Sequence, residues 1–284
     1  MRRHRSGSLW MVLPLYIFTL IFVAGPLIYM FALSFATANE IHGVTWSFTL
    51  ENYKRILEPV YFSTVVQSFK LALTSTAAII LIGYPFGYIM AKLPQKKKKR
   101  AMLFLMLPFW VNSLIRLYGW IIILQKKGIL NFVLMKLRII EKPLKLLYSY
   151  PAIVVGMIYV LLPFMVLSVF SSAEKLDWSL TEAARDMGAT GWKAFWTINF
   201  PLTIPGLLSD VILTFIPSMG LFFIADILGG NNIVLVGSLI QEQMTRGANW
   251  PFAAALAVVM MVLTSIMIFI YRKLTNVKKM EENS

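Results

Sequence analysis

Chemistry in a chain this apolar is confined to its few polar residues. Within six long apolar runs stand two acidic residues, Asp210 and Asp226, both in the fifth run. An ionisable side chain at such a place is costly to keep out of water and is a functional candidate by default. Arg116, in the third run, is an opposite charge with which Asp226 could form an internal ion pair. Other chemistries lack their residues. There is no cysteine, and the two histidines are His4 and His42, which excludes disulfides, thiolate metal sites and an HExxH zinc centre. No Ser/His/Asp set, metal-ligand cluster or catalytic carboxylate pair stands out, and no GxxxxGK[ST] phosphate loop is present.

The elements that must position these residues follow from composition. Hydrophobic residues make up 58% of the 284 and charged residues 14%, with a mean hydropathy of +0.71. A soluble domain usually carries about a quarter charged residues, so much of this surface faces lipid. The apolar runs cover about residues 9–35, 69–91, 101–124, 151–172, 205–228 and 250–271. Each is long enough to cross a bilayer as a helix, which takes about 20 residues and satisfies its own backbone polar groups. Pro14, Gly25, Pro26, Pro85, Pro108, Pro163 and Pro217 predict kinks. The first run has a basic start (Arg2, Arg3, Arg5) and a cleavage-like Ala36-Thr37-Ala38, but at 27 residues it is too long for a signal h-region and is expected to be an uncleaved helix.

The net charge of +14 is met in nucleic-acid binders, but no RNA-binding motif accompanies it. A membrane offers another reason, because Lys and Arg collect on the cytoplasmic side. With the N-terminus inside, segments 1–8, 92–100, 173–200 and 272–284 carry 16 Lys and Arg, against 9 in segments 36–68, 125–150 and 229–249. The block Lys96–Arg100 dominates that difference, and the basic 125–150 segment opposes it. Both termini are expected in the cytoplasm, and with them the segment between runs four and five.

That segment, Glu182 to Pro201, reads EAARDMGATGWKAFWTINFP and carries both signs of charge. Ser179-Leu180-Thr181-Glu182 has capping-box spacing, so a helix is predicted from Ser179. Gly188 and Gly191 allow a turn. A second short helix with Trp192, Phe195, Trp196 and Ile198 follows, and Pro201 marks the approach to the fifth span. By periodicity alone this is equally an interfacial helix anchored by tryptophans. The residues go further. Glu182-Ala183-Ala184, three residues, Gly188, nine residues, Ile198-Asn199-Phe200-Pro201 resembles the EAA motif of ABC-importer permeases, with Phe200 in place of the usual Leu. Glu51-Asn52-Tyr53, Gly83-Tyr84-Pro85-Phe86, Pro108–Arg116, Leu161–Val166, Glu182–Asp186 and Asn249-Trp250-Pro251-Phe252 are similar to the permeases of spermidine/putrescine importers. The similarity runs from about residue 10 to 275.

The resemblance implies an all-α polytopic membrane protein of six transmembrane helices with the type I ABC importer permease fold. It divides the chain into 1–64 (tail, first helix and external loop), a permease domain over 65–272 with its cytoplasmic EAA loop at 173–201, and a tail at 273–284. It implies a bacterial cytoplasmic (inner) membrane location. It implies partners: two ATPase subunits, a second homologous permease, an external polyamine-binding protein and the lipid bilayer, with no nucleic acid. The chain itself is then no enzyme and holds no cofactor or metal; ATP and Mg belong to the ATPase. Glu182, Ala183, Ala184, Gly188, Ile198 and Pro201 become the ATPase-coupling residues, as a helix docking in a groove.

A polycation needs carboxylates for its ammoniums and aromatic faces for cation–π contact. Asp226, Phe222, Phe223, Trp110, Tyr118 and Tyr159 are therefore substrate-path candidates, with Trp120 a further aromatic. Asp226 lies about 30 Å above the cytoplasmic start of its run by helical rise. Three readings stand for it: substrate contact, an ion pair with Arg116, or a solvated place at headgroup level. Asp210 is expected nearer the cytoplasm, solvated or touching a loop, with substrate contact the less favoured alternative. The rival functions are an ABC permease for another small solute and a secondary transporter. The second predicts internal repeats, which the hydropathy does not show.

Overall fold

The structure, a computed structural model, describes residues 13–39, 43–230 and 232–281. His4, His42 and the basic residues Arg2, Arg3 and Arg5 lie outside them. Among the described residues the fold is all-α apart from one antiparallel pair of three-residue strands. The chain order is α1 (Leu13–Leu33), β1 (Thr37–Asn39), β2 (Gly43–Thr45), α2 (Glu51–Ile56), α3 (Pro59–Lys92), α4 (Gln95–Met106), α5 (Ser113–Leu124), α6 (Ile129–Lys136), α7 (Tyr150–Glu174), α8 (Ser179–Asp186), α9 (Gly191–Gly220), α10 (Phe222–Gly229), α11 (Val236–Thr245) and α12 (Trp250–Glu281). Six stretches are long and apolar enough to span: Leu13–Leu33, Pro59–Lys92, Ser113–Lys136, Tyr150–Glu174, Gly191–Gly220 and Trp250–Lys273.

Two of the six differ from the runs read in the sequence. The run at 101–124 is not one helix. Pro108 cannot donate, α4 ends in a 3-10 turn over Leu107–Trp110, and Val111 is extended. Asn112 then starts α5 afresh, its side chain accepting the Leu114 amide at 2.8 Å. The spanning stretch begins at Ser113 and reaches Lys136, taking in Lys126, Lys127 and Lys136 of the basic segment that had opposed the charge count. The fifth run, read at 205–228, begins earlier and ends sooner. α9 breaks at Leu221 (φ −77°, ψ 56°), so Asp226, Phe222 and Phe223 stand on the separate short helix α10.

The chain forms two compact units. The first comprises residues up to 63 together with 239–266. Here the buried Asn52 side chain donates to the carbonyls of Ser34 (3.0 Å) and Ala36 (2.8 Å), closing off the end of α1. Tyr53 Oη meets Ser34 Oγ at 2.6 Å. Arg55 donates to Tyr61 Oη and lies over the Phe252 ring at 4.6 Å. Asn249 caps α12 by accepting the Phe252 amide. The Glu51-Asn52-Tyr53 and Asn249–Phe252 stretches are thus the fasteners of this unit.

The second unit takes residues 64–238 and 267 onward. Its centre is α7, of whose spanning window 56% is buried. Met157, Met165 and Ile153 of α7 pack fully buried with Leu71 and Ile79 of α3, Leu117 of α5 and Ile224 and Leu228 of α10. Between lipid-facing helices there is little hydrophobic force, so close packing through small residues holds the bundle. Gly206 of α9 shows this most sharply. A Cβ there would meet Ser172 Oγ at 1.9 Å and Ser172 Cβ at 2.7 Å. Gly206→Ala should therefore lower the thermal midpoint of the purified chain in detergent, by several degrees for a loss of about 1–3 kcal/mol. Adding Ser172→Gly should restore most of it. An unchanged midpoint in the single variant would show that α7 and α9 do not need this approach.

Candidate functional site

The stretch 173–201 is built from the end of α7, α8 and the start of α9. Lys98 Nζ donates to Glu174 Oε1 at 3.0 Å, the one ion pair among the described residues. Lys92 Nζ lies 4.4 Å from the Tyr88 ring centroid and 5.2 Å from that of Trp178. The basic block at 96–100 and the EAA segment therefore sit together, on one side of whatever the spans cross.

α8 starts where the capping box placed it, but its cap is different. The Asp177 carboxylate accepts the Ser179 amide at 3.0 Å, and Glu182 closes no reciprocal bond. Bonds from the Ser179 hydroxyl and amide hold the Asp177 pKa below the ordinary carboxylate value. α8 ends at Asp186, and Gly188 turns the chain in the left-handed region at φ +92° with open space where a side chain would be. Thr190 caps α9, its Oγ1 accepting the Lys193 amide.

The second short helix is not separate from the fifth span. α9 runs through Pro201, and a π turn over Phe195–Asn199 makes that possible. The Phe200 amide bonds back to the Phe195 carbonyl, five residues away, and this widened turn absorbs the donor and the space that Pro201 denies to the α pattern. Of the motif residues, Glu182, Ala183, Gly188 and Pro201 are exposed and Ile198 is half-buried. Ala184 is buried, so of the two alanines only Ala183 is open to a partner.

Behind this surface runs a polar chain that the motif spacing does not disclose. Thr181 Oγ1 donates to Asn199 Oδ1 at 2.7 Å, and Asn199 Nδ2 donates to Tyr88 Oη at 2.7 Å. Thr203 Oγ1 donates to the Asn199 carbonyl and meets Tyr84 Oη at 2.7 Å. α8 is thereby tied to α9 and to α3. The only sequence signal was a buried-type asparagine in the aromatic stretch FWTINFP.

The path candidates are dispersed. Asp226 accepts the Ser238 hydroxyl at 2.8 Å and makes no ion pair with Arg116. The Arg116 guanidinium instead lies over the rings of Phe109 (5.1 Å) and Tyr159 (5.3 Å). Its Nε and Nη1 find no hydrogen-bond partner. Tyr159 also packs edge-on against Trp120. Phe222 and Phe223 are half-buried neighbours, 6.4 Å apart. Trp110 and Tyr118 are 84% and 59% exposed. Asp210 departs furthest from expectation. It is 1% exposed in the middle of α9, neither solvated nor touching a loop, with the Ser168 hydroxyl of α7 beside its carboxylate. No group of three His, Cys, Asp or Glu that could hold a metal occurs among the described residues.

Six stretches long and apolar enough to span, with a charged helix–turn–helix between the fourth and the fifth, are the architecture of a multi-pass membrane protein. Residues 83–276 match the model of the binding-protein-dependent transport system inner membrane component, and the chain belongs to that family of multi-pass inner membrane proteins. Over 251 residues it is 41% identical to the spermidine/putrescine transport system permease protein PotB of Escherichia coli K12, covering 88% of this chain and 91% of that one. The PotB protein of Haemophilus influenzae is 39% identical over 88% of this chain and 87% of its own length. The fold is shared with a bacterial alginate ABC transporter crystallised with its pentasaccharide-bound periplasmic protein (TM-score 0.74, 17% identity, 94% and 93% covered). It is also shared with the MetNI methionine ABC transporter (TM-score 0.58, 19% identity, 78% and 98% covered).

The Asp177 cap carries a pH dependence. A depressed folded-state pKa means that its stabilisation of α8 is complete above the ordinary carboxylate pKa and is lost as pH falls through the lowered value. Amide exchange of Ser179–Glu182 should be protected near neutral pH. The protection factor, referred to the intrinsic rate at each pH, should fall in Asp177→Ala and on strong acidification of the native protein, with the variant losing the acid-dependent step.

Proposed function

We propose that this chain is the permease subunit of an ATP-driven polyamine importer, forming half of the path for spermidine or putrescine. The observation that carries this reading is its 41% identity across 88% of its length to a spermidine/putrescine permease. A second permease, two ATPase subunits that use ATP and Mg, and an external polyamine-binding protein complete the assembly. Residues 65–272 are the permease domain, both termini are cytoplasmic, and 173–201 faces the ATPase. The pairing of the Lys96–Arg100 block with the EAA segment through Lys98–Glu174 supports that orientation, because clustered Lys and Arg favour the cytoplasmic side.

In this reading α8 is the helix that docks on the ATPase. Glu182, Ala183 and the 83%-exposed Met187 form its free face, with Trp192 beyond the Gly188 turn. Movement of α8 passes through Thr181–Asn199 to α9 and through Asn199–Tyr88 to α3. Asp226, Phe222, Phe223 and Tyr159 belong to the polyamine path, and the exposed Trp110 and Tyr118 face the second permease.

The test is ATP-dependent spermidine uptake by the assembled complex in liposomes, with putrescine and a neutral amino acid as competitors. Uptake competed by putrescine alone is expected. Co-purification of an ATPase without any polyamine uptake would leave a permease for another solute. Gly188→Ala strains a left-handed turn by about 1–2 kcal/mol without filling occupied space, and Gly188→Leu adds bulk toward the partner. Uptake should fall modestly in the first and at least about tenfold in the second, the chain remaining inserted. Native uptake in Gly188→Leu would remove α8 from the coupling role.

A further inference from the structure

Asp210 stands ten residues into the 21-residue α segment Phe200–Gly220, about 15 Å by helical rise from either end. It lines a cavity of about 570 Å³ between α7 and α9, together with Ser168, Phe164, Leu161, Leu213 and Pro217. That volume lies in the range of small-molecule sites. Asp210 and Ser168 are the polar residues among its apolar lining. A carboxylate removed from water is strongly disfavoured unless a cation or donors meet it. Here both oxygens are buried, the Ser168 hydroxyl is the one side chain that acts on them as a donor, and no basic side chain among the described residues forms an ion pair with Asp210. The membrane arginine nearest in kind, Arg116, is spent on Phe109 and Tyr159.

We infer that this cavity is a binding site for an alkylammonium group, with Asp210 as its counter-ion. The ammonium donates to the Asp210 oxygens and to Ser168 Oγ. The ring of Phe164 offers a cation–π face. The attached methylenes lie along Leu161 and Leu213, which need no polar partner. The chemistry suits a chain of carbon with an amine at its end and rejects a carboxylate or a phosphate, which would face an uncompensated negative charge. This rests on the polyamine reading above for the identity of the solute, and it adds Asp210 as a second counter-ion to the Asp226 of that reading.

The experiment uses the whole complex in detergent or nanodiscs. A hydrophobic carbodiimide is applied, and mass spectrometry reads labelling at Asp210 with spermidine, with butylammonium, with leucine and with nothing added. Labelling in the free complex is expected, slowed about tenfold by spermidine at about ten times its Kd, and unaffected by leucine. In parallel, Asp210→Asn should raise the KM for spermidine uptake about tenfold or more while the ATPase still co-purifies, and Asp210→Glu should recover part of the loss. Labelling that no amine slows, absence of labelling in the free complex, or native KM in Asp210→Asn would overturn the site. If the native complex imports no polyamine yet butylammonium protects Asp210, the polyamine reading fails and the ammonium site stands. If Asp210→Asn does not assemble, the protection experiment on the native chain decides alone.

Discussion

A polar group inside hydrocarbon has no water to bond, and several departures from regular helix among the described residues answer that constraint. Where Pro108 withdraws a donor, the chain leaves the helix and Asn112 re-caps it. Where Pro201 would break α9, a π turn keeps the helix whole. Just past the end of α1, Asn52 donates to the carbonyls of Ser34 and Ala36. The hydroxyls of Ser68 and Thr214 follow the same rule. Ser68 Oγ accepts the Val236 amide, and Thr214 folds back on the Asp210 carbonyl of its own helix. Against that background, a fully buried aspartate with only the Ser168 hydroxyl beside it stands out, as does the Arg116 guanidinium held by rings rather than acceptors.

The second unit is organised so that one helix, α7, meets most of the others. α7 carries little charge and much close packing, so it acts as a rigid post. α9 leans on it through Gly206 and Ser172, and α10 through Ile224 and Leu228. Because α9 is also the helix that continues into the EAA segment, the exposed end and the buried carboxylate belong to one element. What touches α8 is connected to what sits beside Asp210 by unbroken backbone.

The spans were legible because about twenty apolar residues in a row have few other solutions. Pro59–Lys92, Tyr150–Glu174 and Trp250–Lys273 contain the runs read from hydropathy. The EAA segment was legible because its charges and glycines sit between two long apolar runs at a recognisable spacing. The breaks at 111–112 and 221 were not, since Pro and Gly are common in membrane helices that continue unbroken, as Pro85 and Pro163 do here. Nor was the fate of the charges. Arg116 and Asp226 looked like partners only because both are rare. Their actual companions, two aromatic rings and a serine hydroxyl, are unremarkable in a one-dimensional reading. The burial of Asp210 depended on which face of α9 turns to α7, and an apolar run with no polar stripe does not announce its faces. The Thr181–Asn199–Tyr88 link joins residues 111 positions apart at its far end, beyond any local pattern.

The π turn at Phe195–Asn199 has a geometric consequence of its own. A π turn holds one more residue than the α pattern, and each residue of an α-helix advances the side chains by about 100°. The four residues Gly191–Ala194 are therefore out of phase with the rest of α9 by roughly a quarter turn. Trp192 faces outward and Ala194 inward because of that offset, not because of the helical wheel drawn from Phe200 onward. The bulge works as a fixed angular gear between the two ends of one shaft. A single-residue deletion within it would leave composition and length almost unchanged, yet would swing the aromatic end of the segment to a different side of the protein.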